Sequence, residues 1–148
     1  MNGHTKQRIV FFSLFYLCSF LLNFLWESGQ GVLYTAHQEL AAREYVPMMV
    51  QMALLDALSL TGIYLFTSFC ARSLLWPPHI RNIAVFSFAG LVSAWTVEYI
   101  SVNLLRAWSY TPDMPLLFMV GLGPLLQLAV TGLAAIFMAR RQAGFSNE

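Results

Sequence analysis

The chain has 148 residues, of which 58% are hydrophobic and only 10% are charged, and its formal net charge is +1. A soluble domain averages about 25% charged residues. This composition therefore excludes a water-soluble globular domain, whose surface needs more polar groups. The sequence predicts an integral membrane protein with a single domain over residues 1–148. Membrane lipids are expected partners, and no nucleic-acid partner is expected.

Four apolar segments are long enough to span a bilayer, since a hydrocarbon core of about 30 Å takes about 20 helical residues. They are predicted at about 9–28, 47–69, 82–105 and 116–138. The predicted fold is all-α, a polytopic four-helix bundle in the membrane.

Basic residues are distributed unequally between the two sides of this bundle. Six fall on the side of the chain termini: Lys6, Arg8, Arg72, Arg81, Arg140 and Arg141. Arg43 and Arg106 fall on the other side. By the positive-inside rule both termini are expected in the cytoplasm, and the expected location is the bacterial inner membrane.

A polar stripe is predicted on the first span. Asn23, Glu27, Gln30 and Tyr34 follow the spacing i, i+4, i+7 and i+11, which gives one helix face if the helix continues past Gly29. In the connection that follows, residues 37–45 are expected to form a short interfacial helix. Its support is an i, i+4 pair of Glu39 and Arg43.

Carboxyl groups occur in three of the four predicted spans. Glu27 ends the first span, at the headgroup level where a carboxylate costs little. Asp56 is roughly 13 Å below the outer end of the second span, and Glu98 roughly 10 Å below that of the third. Because a carboxylate in hydrocarbon costs about 2.5–3.5 kcal/mol or more, this convergence predicts a site in the outer half of the bilayer.

The fourth span contributes Gln127, one turn after Pro124. Proline leaves the carbonyl of Val120 without its usual helical partner. A kink is therefore expected there, and it would turn Gln127 and the free carbonyl towards the same interior.

A structural role is the alternative for each polar group. Asp56 is then expected to hydrogen-bond Gln127 or Asn103, as polar side chains do between membrane helices. Arg106, two turns after Glu98, is an available ion-pair partner for a neighbouring acid.

Neither cysteines nor histidines predict a metal site. Cys18 and Cys70 have no disulfide or metal spacing, and His4, His37 and His79 share no helix face. No metal, diphosphate site or cofactor is expected.

Buried carboxylic acids suit proton transfer, because desolvation disfavours the charged form and keeps a proton available near neutral pH. Tryptophan and tyrosine faces can stabilise a developing carbocation. Together these features are typical of proton-initiated isoprenoid cyclisation, although proton-coupled transport uses the same acids.

The segment Asn23-Phe-Leu-Trp-Glu27, followed by Gln30 and Tyr34, resembles the Asn-x-x-Trp-Glu region of the small integral-membrane terpene cyclases of fungal meroterpenoid and indole-diterpene pathways. The resemblance implies that Glu27 protonates an epoxide or alkene, helped by a second acid on a later helix, for which Glu98 is the candidate. The segments 108–110, 114–115 and 121–127 also resemble uncharacterised four-span bacterial membrane proteins.

The expected function is therefore a membrane terpene cyclase that acts on a lipophilic small-molecule substrate, with a homodimer considered because the chain is small. The alternative is a non-enzymatic membrane protein, either a proton-linked carrier or an assembly partner. The expected catalytic residues are Glu27, Glu98 and Asp56. The expected substrate-binding residues are Asn23, Trp26, Gln30, Trp95, Tyr99, Trp108, Tyr110 and Gln127.

Overall fold

The computed structural model describes residues 3–144, without the side chain of His4. Its helices are α1 (Gly3–Gln30), α2 (Ala42–Ala71), α3 (Ile80–Tyr99) and α4 (Leu122–Gln142). All four are long and apolar enough to cross a membrane, by length and composition. The predicted all-α four-helix bundle is confirmed, and the chain is an integral membrane protein.

The helices run alternately up and down. Contacts are extensive between α1 and α2, between α1 and α4, and between α3 and α4, whereas α2 meets α3 over a smaller area. We call the end of the bundle opposite the chain termini the distal end. It carries residues 31–41, which join α1 to α2. It also carries residues 105–121, which follow a π-helical turn (Ile100–Leu104) at the end of α3 and lead to α4.

The half of the bundle nearer the termini is held by aromatic packing. Tyr64 contacts Phe11, Phe15 and Trp76 with ring centroids 5.1–5.3 Å apart, and Trp76 contacts Phe86 at 6.2 Å. All five side chains are at most 1% exposed. The terminal half is thus held mainly by apolar contacts, and the buried acid Glu98 lies in the distal half.

The first connection differs from the expected interfacial helix. It consists of two 3₁₀ turns, Gly31–Leu33 and Thr35–Glu39, and α2 already begins at Ala42. Arg43 lies 3.6 Å from Glu44 in an exposed ion pair, not in the expected i, i+4 pair with Glu39. The expectation was wrong because α2 is longer than the apolar run that marks its span.

The start of the fourth span also differs from the expected position near residue 116. A two-stranded hairpin, β1 (Leu116–Leu117) with β2 (Val120–Gly121), precedes α4. Pro124 therefore stands in the first turn of α4, where a helical N–H needs no intrahelical partner. The expected kink inside the span is absent for this reason.

The hairpin turn is strained and is held from outside. Phe118 and Met119 have φ of 51° and 66°, a left-handed conformation that residues with a side chain disfavour. The Trp95 indole N–H donates to the carbonyl of Phe118 at 3.1 Å, and the Asn103 amide donates to that of Met119 at 3.2 Å. Two donors after or near the end of α3 thus hold this turn in place.

The two distal connections pair with each other. The Thr35 N–H donates to the Ser109 carbonyl at 3.0 Å, and the Thr111 N–H donates to the Leu33 carbonyl at 2.9 Å. This short antiparallel bridge sets Tyr34 opposite Tyr110. It brings both phenols to the end of α3, where Glu98 lies.

Candidate functional site

Glu98 is the most heavily hydrogen-bonded acid of the described residues. Its Oε1 accepts from the Tyr110 hydroxyl at 2.7 Å, the Tyr34 hydroxyl at 2.9 Å and the Trp108 indole N–H at 3.2 Å. The Gly121 N–H donates to the Tyr110 oxygen at 2.9 Å, which leaves the Tyr110 proton to point at Glu98. Three donors on one oxygen match a carboxylate, which only accepts.

Arg106 takes no part in this arrangement. It forms no ion pair within residues 3–144, and its backbone turns away from α3 with φ of 53°. Glu98, only 5% exposed, is therefore held by neutral donors. A neutral cage fixes the orientation of the carboxylate and leaves its charge uncompensated by any cation.

Gln127 joins the two other acids. Its Nε2 donates to Asp56 Oδ2 at 2.7 Å, to Glu27 Oε1 at 2.8 Å and to Asn23 Oδ1 at 3.1 Å. An amide nitrogen carries two hydrogens, so three acceptors compete for them. The two carboxyl groups are held beside one nitrogen, where two full negative charges repel strongly and one shared proton relieves the repulsion.

Further amides and hydroxyls fix the position of Gln127. The Gln30 amide donates to Gln127 Oε1 at 2.8 Å and more weakly to Glu27 Oε1 at 3.3 Å, while the Trp26 indole donates to Gln30 at 3.1 Å. The Thr131 hydroxyl lies 2.8 Å from the Gln127 carbonyl. Because α1 continues through Gly29 to Gln30, the stripe residues Asn23, Glu27 and Gln30 face α4, whereas Tyr34 lies beyond the end of the helix.

The three carboxyl groups line one cavity of about 430 Å³, within the usual range of about 300–1,000 Å³ for small-molecule sites. Tyr34, His37, Trp108 and Gln127 also line it. The rest of its wall is apolar or weakly polar and comes from three helices: Met52, Leu55, Ser59, Ala94, Val97, Pro124 and Leu128. All of these residues belong to one chain, so the cavity needs no second copy to be formed.

In each of the three acids, one carboxyl oxygen accepts hydrogen bonds from the protein and the other accepts none from the described residues. Glu98 Oε1, Glu27 Oε1 and Asp56 Oδ2 accept hydrogen bonds from the protein. Within the part of the chain that the structure describes, no side chain or N–H donates to the second oxygen of any of the three. The cavity therefore offers a ligand three carboxyl oxygens that are not used by the fold.

The ionisable groups in the cavity wall are mostly acidic. Of residues 3–144, no lysine or arginine lines it, and the basic group in its wall is His37. Burial lowers the pKa of His37, which favours the neutral imidazole. Burial, followed by the nearby charge of Glu98, raises the pKa of Tyr34, so this phenol keeps its proton. The site thus contains acids and neutral donors.

The structure brings together some of the predicted site residues and separates others. Asn23, Gln30 and Tyr110 do not line the cavity but hold the residues that do. The rings of Trp95 and Tyr99 stack with their centroids 4.9 Å apart, and neither residue lines the cavity. Trp26 does not line it either, and its indole N–H donates to Gln30. Of the aromatic residues expected to bind substrate, Trp108 lines the cavity, and Tyr34, which was not expected there, also lines it.

The alternative partners considered for Asp56 are also resolved by the structure. Gln127 is its hydrogen-bond partner, whereas Asn103 binds the hairpin turn. His37 and Ser59 also line the cavity, although no pattern in the sequence points to them. Tyr34 was predicted on the helical stripe, but it lies beyond the end of α1 in an extended conformation, and the bridge to Tyr110 places it beside Glu98.

No metal centre can be assigned within residues 3–144, where no group of three or more His, Cys, Asp or Glu side chains is placed to hold an ion. Compared with protein-family models, curated proteins and solved structures, the chain has no match. The function must therefore be argued from the cavity itself.

Proposed function

We propose that this protein is an integral-membrane isoprenoid cyclase, in which a carboxylic acid protonates an alkene or epoxide of a lipophilic substrate. The observation that carries the proposal is the set of three carboxyl oxygens, from α1, α2 and α3, left unused in one largely apolar cavity. General acid catalysis of this kind contributes about 10²–10⁴-fold to a rate.

Glu27 and Asp56 are the two acids suited to act as the proton donor. Glu27 and Asp56 lie within 2.8 Å of the same Gln127 nitrogen, and sharing a proton is the cheapest way to keep them there. The proton moves from a carboxyl O–H to the substrate, and the π electrons of a second alkene form the new C–C bond. A carboxylate takes a proton from the final cation, so the net reaction is an isomerisation.

Glu98 is suited to stabilise the positive charge that develops on the substrate. Its carboxylate is fixed by Tyr34, Tyr110 and Trp108, so its free oxygen need not reorganise as a cation develops. The faces of Trp108 and Tyr34 add cation–π attraction of about 2 kcal/mol or less for each ring. This division of roles differs from the one that the resemblance implies, in which Glu98 is the second acid that helps Glu27.

The test is product analysis on membranes from an expressing host, supplied with polyprenyl substrates with and without a terminal epoxide. Glu98→Gln is an informative variant, because the amide oxygen can take the place of Oε1 and keep all three donors paired. Glu27→Gln and Asp56→Asn complete the set. Glu39→Gln is the matched control, since Glu39 is exposed on the distal connection.

We expect a cyclised product with the wild type and the control, and a loss of about a hundredfold or more in each cavity variant at equal protein level. The proposal fails if no substrate gives a product, or if activity falls only in proportion to folded protein. The latter result would favour the alternative of a non-enzymatic protein. One observation supports that alternative, namely that Gln127 ties α1, α2 and α4 together through its acceptors.

We also propose a bacterial inner membrane location with both termini in the cytoplasm. Six basic residues belong to the terminal end of the bundle by their place in the chain, against Arg43 and Arg106 at the distal end. A cysteine introduced at Gln38, in a Cys70→Ser background, should react with an impermeant maleimide from outside the cell. Reaction only after the cells are opened would reverse the orientation.

A further inference from the structure

The cavity is open on one side, and the exposed residues of its wall show where the opening lies. Of the residues that line it, Leu55, Ser59 and Val97 are exposed, while all the others are buried or half-buried. Leu55 is 51% exposed and Val97 59% exposed. These three side chains belong to α2 and α3, the neighbouring pair with the smaller contact. The opening therefore lies sideways, between α2 and α3.

The depth of this opening places it against lipid. Val97 is about seven residues, or roughly 10 Å, inside the distal end of the span Ile80–Leu104. Ser59 is further from the distal end of its own span, which begins at Ala42. A ligand that passes between these side chains thus comes from the hydrocarbon of the bilayer, not from water.

The inner end of the same cavity is polar and carries only negative or neutral groups. Glu98, which is nine-tenths or more buried, lines it together with the half-buried Glu27 and Asp56, and each of these acids has one oxygen that accepts no hydrogen bond within the described residues. In such a low-dielectric site a positive charge gains far more than it does in water, and a negative charge is rejected. An apolar opening and an acidic inner end together match a ligand that has one hydrocarbon chain and one cationic group at its end.

We propose that the cavity binds single-chain lipophilic amines from the bilayer, with the ammonium group among Glu27, Asp56 and Glu98 and the chain leaving between α2 and α3 past Val97. The inference uses the site of the proposed cyclase and deepens it, because the ammonium group occupies the place where a substrate cation would develop. Binding itself requires no turnover, so it can be measured separately.

The experiment uses the full chain in lipid nanodiscs with a dodecylamine that carries a diazirine near the end of its chain. After illumination, labelled residues are mapped by peptide mass spectrometry. We expect labels on α2 and α3 beside Leu55, Ser59 and Val97. Val97→Trp fills the opening and should lower labelling about tenfold. Val92→Trp is the matched control, since Val92 lies on the same helix, is 47% exposed and does not line the cavity.

A second pair protects the test against misfolding of one variant. Leu55→Trp should lower labelling, and Leu58→Trp, at a position 61% exposed outside the cavity, should not. Unlabelled dodecylamine should compete at least about tenfold better than dodecanol, and dodecanoate should not compete. Glu98→Gln should reduce that preference for the amine.

Labels spread evenly over the exposed faces of all four helices, or equal labelling in Val97→Trp and Val92→Trp, would overturn the inference. So would equal competition by the amine and the alcohol. Amine binding that responds as expected, without any cyclised product, would retain this inference and refute the cyclase. A cyclised product unaffected by Val97→Trp and Leu55→Trp would retain the cyclase and refute the lateral opening.

Discussion

Removal of single hydroxyl groups should distinguish Tyr34 from Tyr110, whose hydroxyl groups both donate to Glu98. Tyr34→Phe removes one hydrogen bond, to Glu98. Tyr110→Phe removes the bond to Glu98 and also leaves the buried Gly121 N–H without its acceptor. Tyr34 is the more buried of the two phenols, so burial alone would give the opposite order of effects.

The expected magnitudes follow from these contacts. A hydrogen bond to a charged group contributes about 1.5–3 kcal/mol in soluble proteins, whereas bonds between membrane helices average about 0.6 kcal/mol. We therefore expect Tyr34→Phe to lower the free energy of unfolding by about 1 kcal/mol. The stranded Gly121 N–H costs about 1–3 kcal/mol more, which gives about 2–4 kcal/mol for Tyr110→Phe.

The assay is equilibrium unfolding in mixed micelles with increasing denaturing detergent. Tyr16→Phe is the control, because Tyr16 is exposed on α1 and its hydroxyl has no hydrogen bond within the described residues. In a Glu98→Ala background Tyr34→Phe should cost almost nothing, while Tyr110→Phe should keep the part due to Gly121. Equal costs for the two tyrosines, or costs equal to that of Tyr16→Phe, would refute the arrangement of donors around Glu98.

Three further results are expected from the same unfolding assay. Burial raises the pKa of Tyr34 and of Tyr110, with Glu98 adding to both shifts, so their contribution to stability is complete below about pH 10 and is lost above it; the Tyr34→Phe, Tyr110→Phe double variant should flatten this alkaline decline, and an unchanged decline would contradict the assignment. Met119→Gly should stabilise the protein by about 1 kcal/mol by relieving the left-handed φ, and a lower midpoint would show that the side chain is needed. Gly123→Ala should be destabilising, since its Cβ would lie 2.7 Å from Gln30 Oε1, and a neutral result would mean that Gln30 is free to move.

The helices were predictable because twenty-residue hydropathy is a property of the local sequence, and all four appear in the structure. The start of α4 was not, because the apolar run from Leu116 onwards suits a strand as well as a helix. The sequence places Pro124 inside an apolar span and so predicts a kink, whereas the hairpin before α4 puts it in the first turn of the helix.

The convergence of the acids was predictable from depth and helix facing, and the structure lines one cavity with Glu27, Asp56 and Glu98. The cage around Glu98 was not, because it depends on the pairing of two connections that are distant in sequence. Trp95 was expected to bind substrate, but it stands three residues before Glu98, which on a helix is a rotation of about 300°, or 60° short of a full turn. That offset is enough to turn its indole out to the hairpin.

The oxygens left unused by the fold bear on why acids, and not amides, occupy these positions. If Glu27, Asp56 and Glu98 served only to join helices, asparagine or glutamine would accept the same hydrogen bonds without the cost of a charge in hydrocarbon. The protein itself uses amides in this way at Asn23 and Gln127, which are almost fully buried and bonded within the network. The three acids line the cavity, and each has one oxygen that accepts no hydrogen bond within the described residues. The extra cost of an ionisable group is thus confined to the surface a ligand would touch, which a purely structural network does not require.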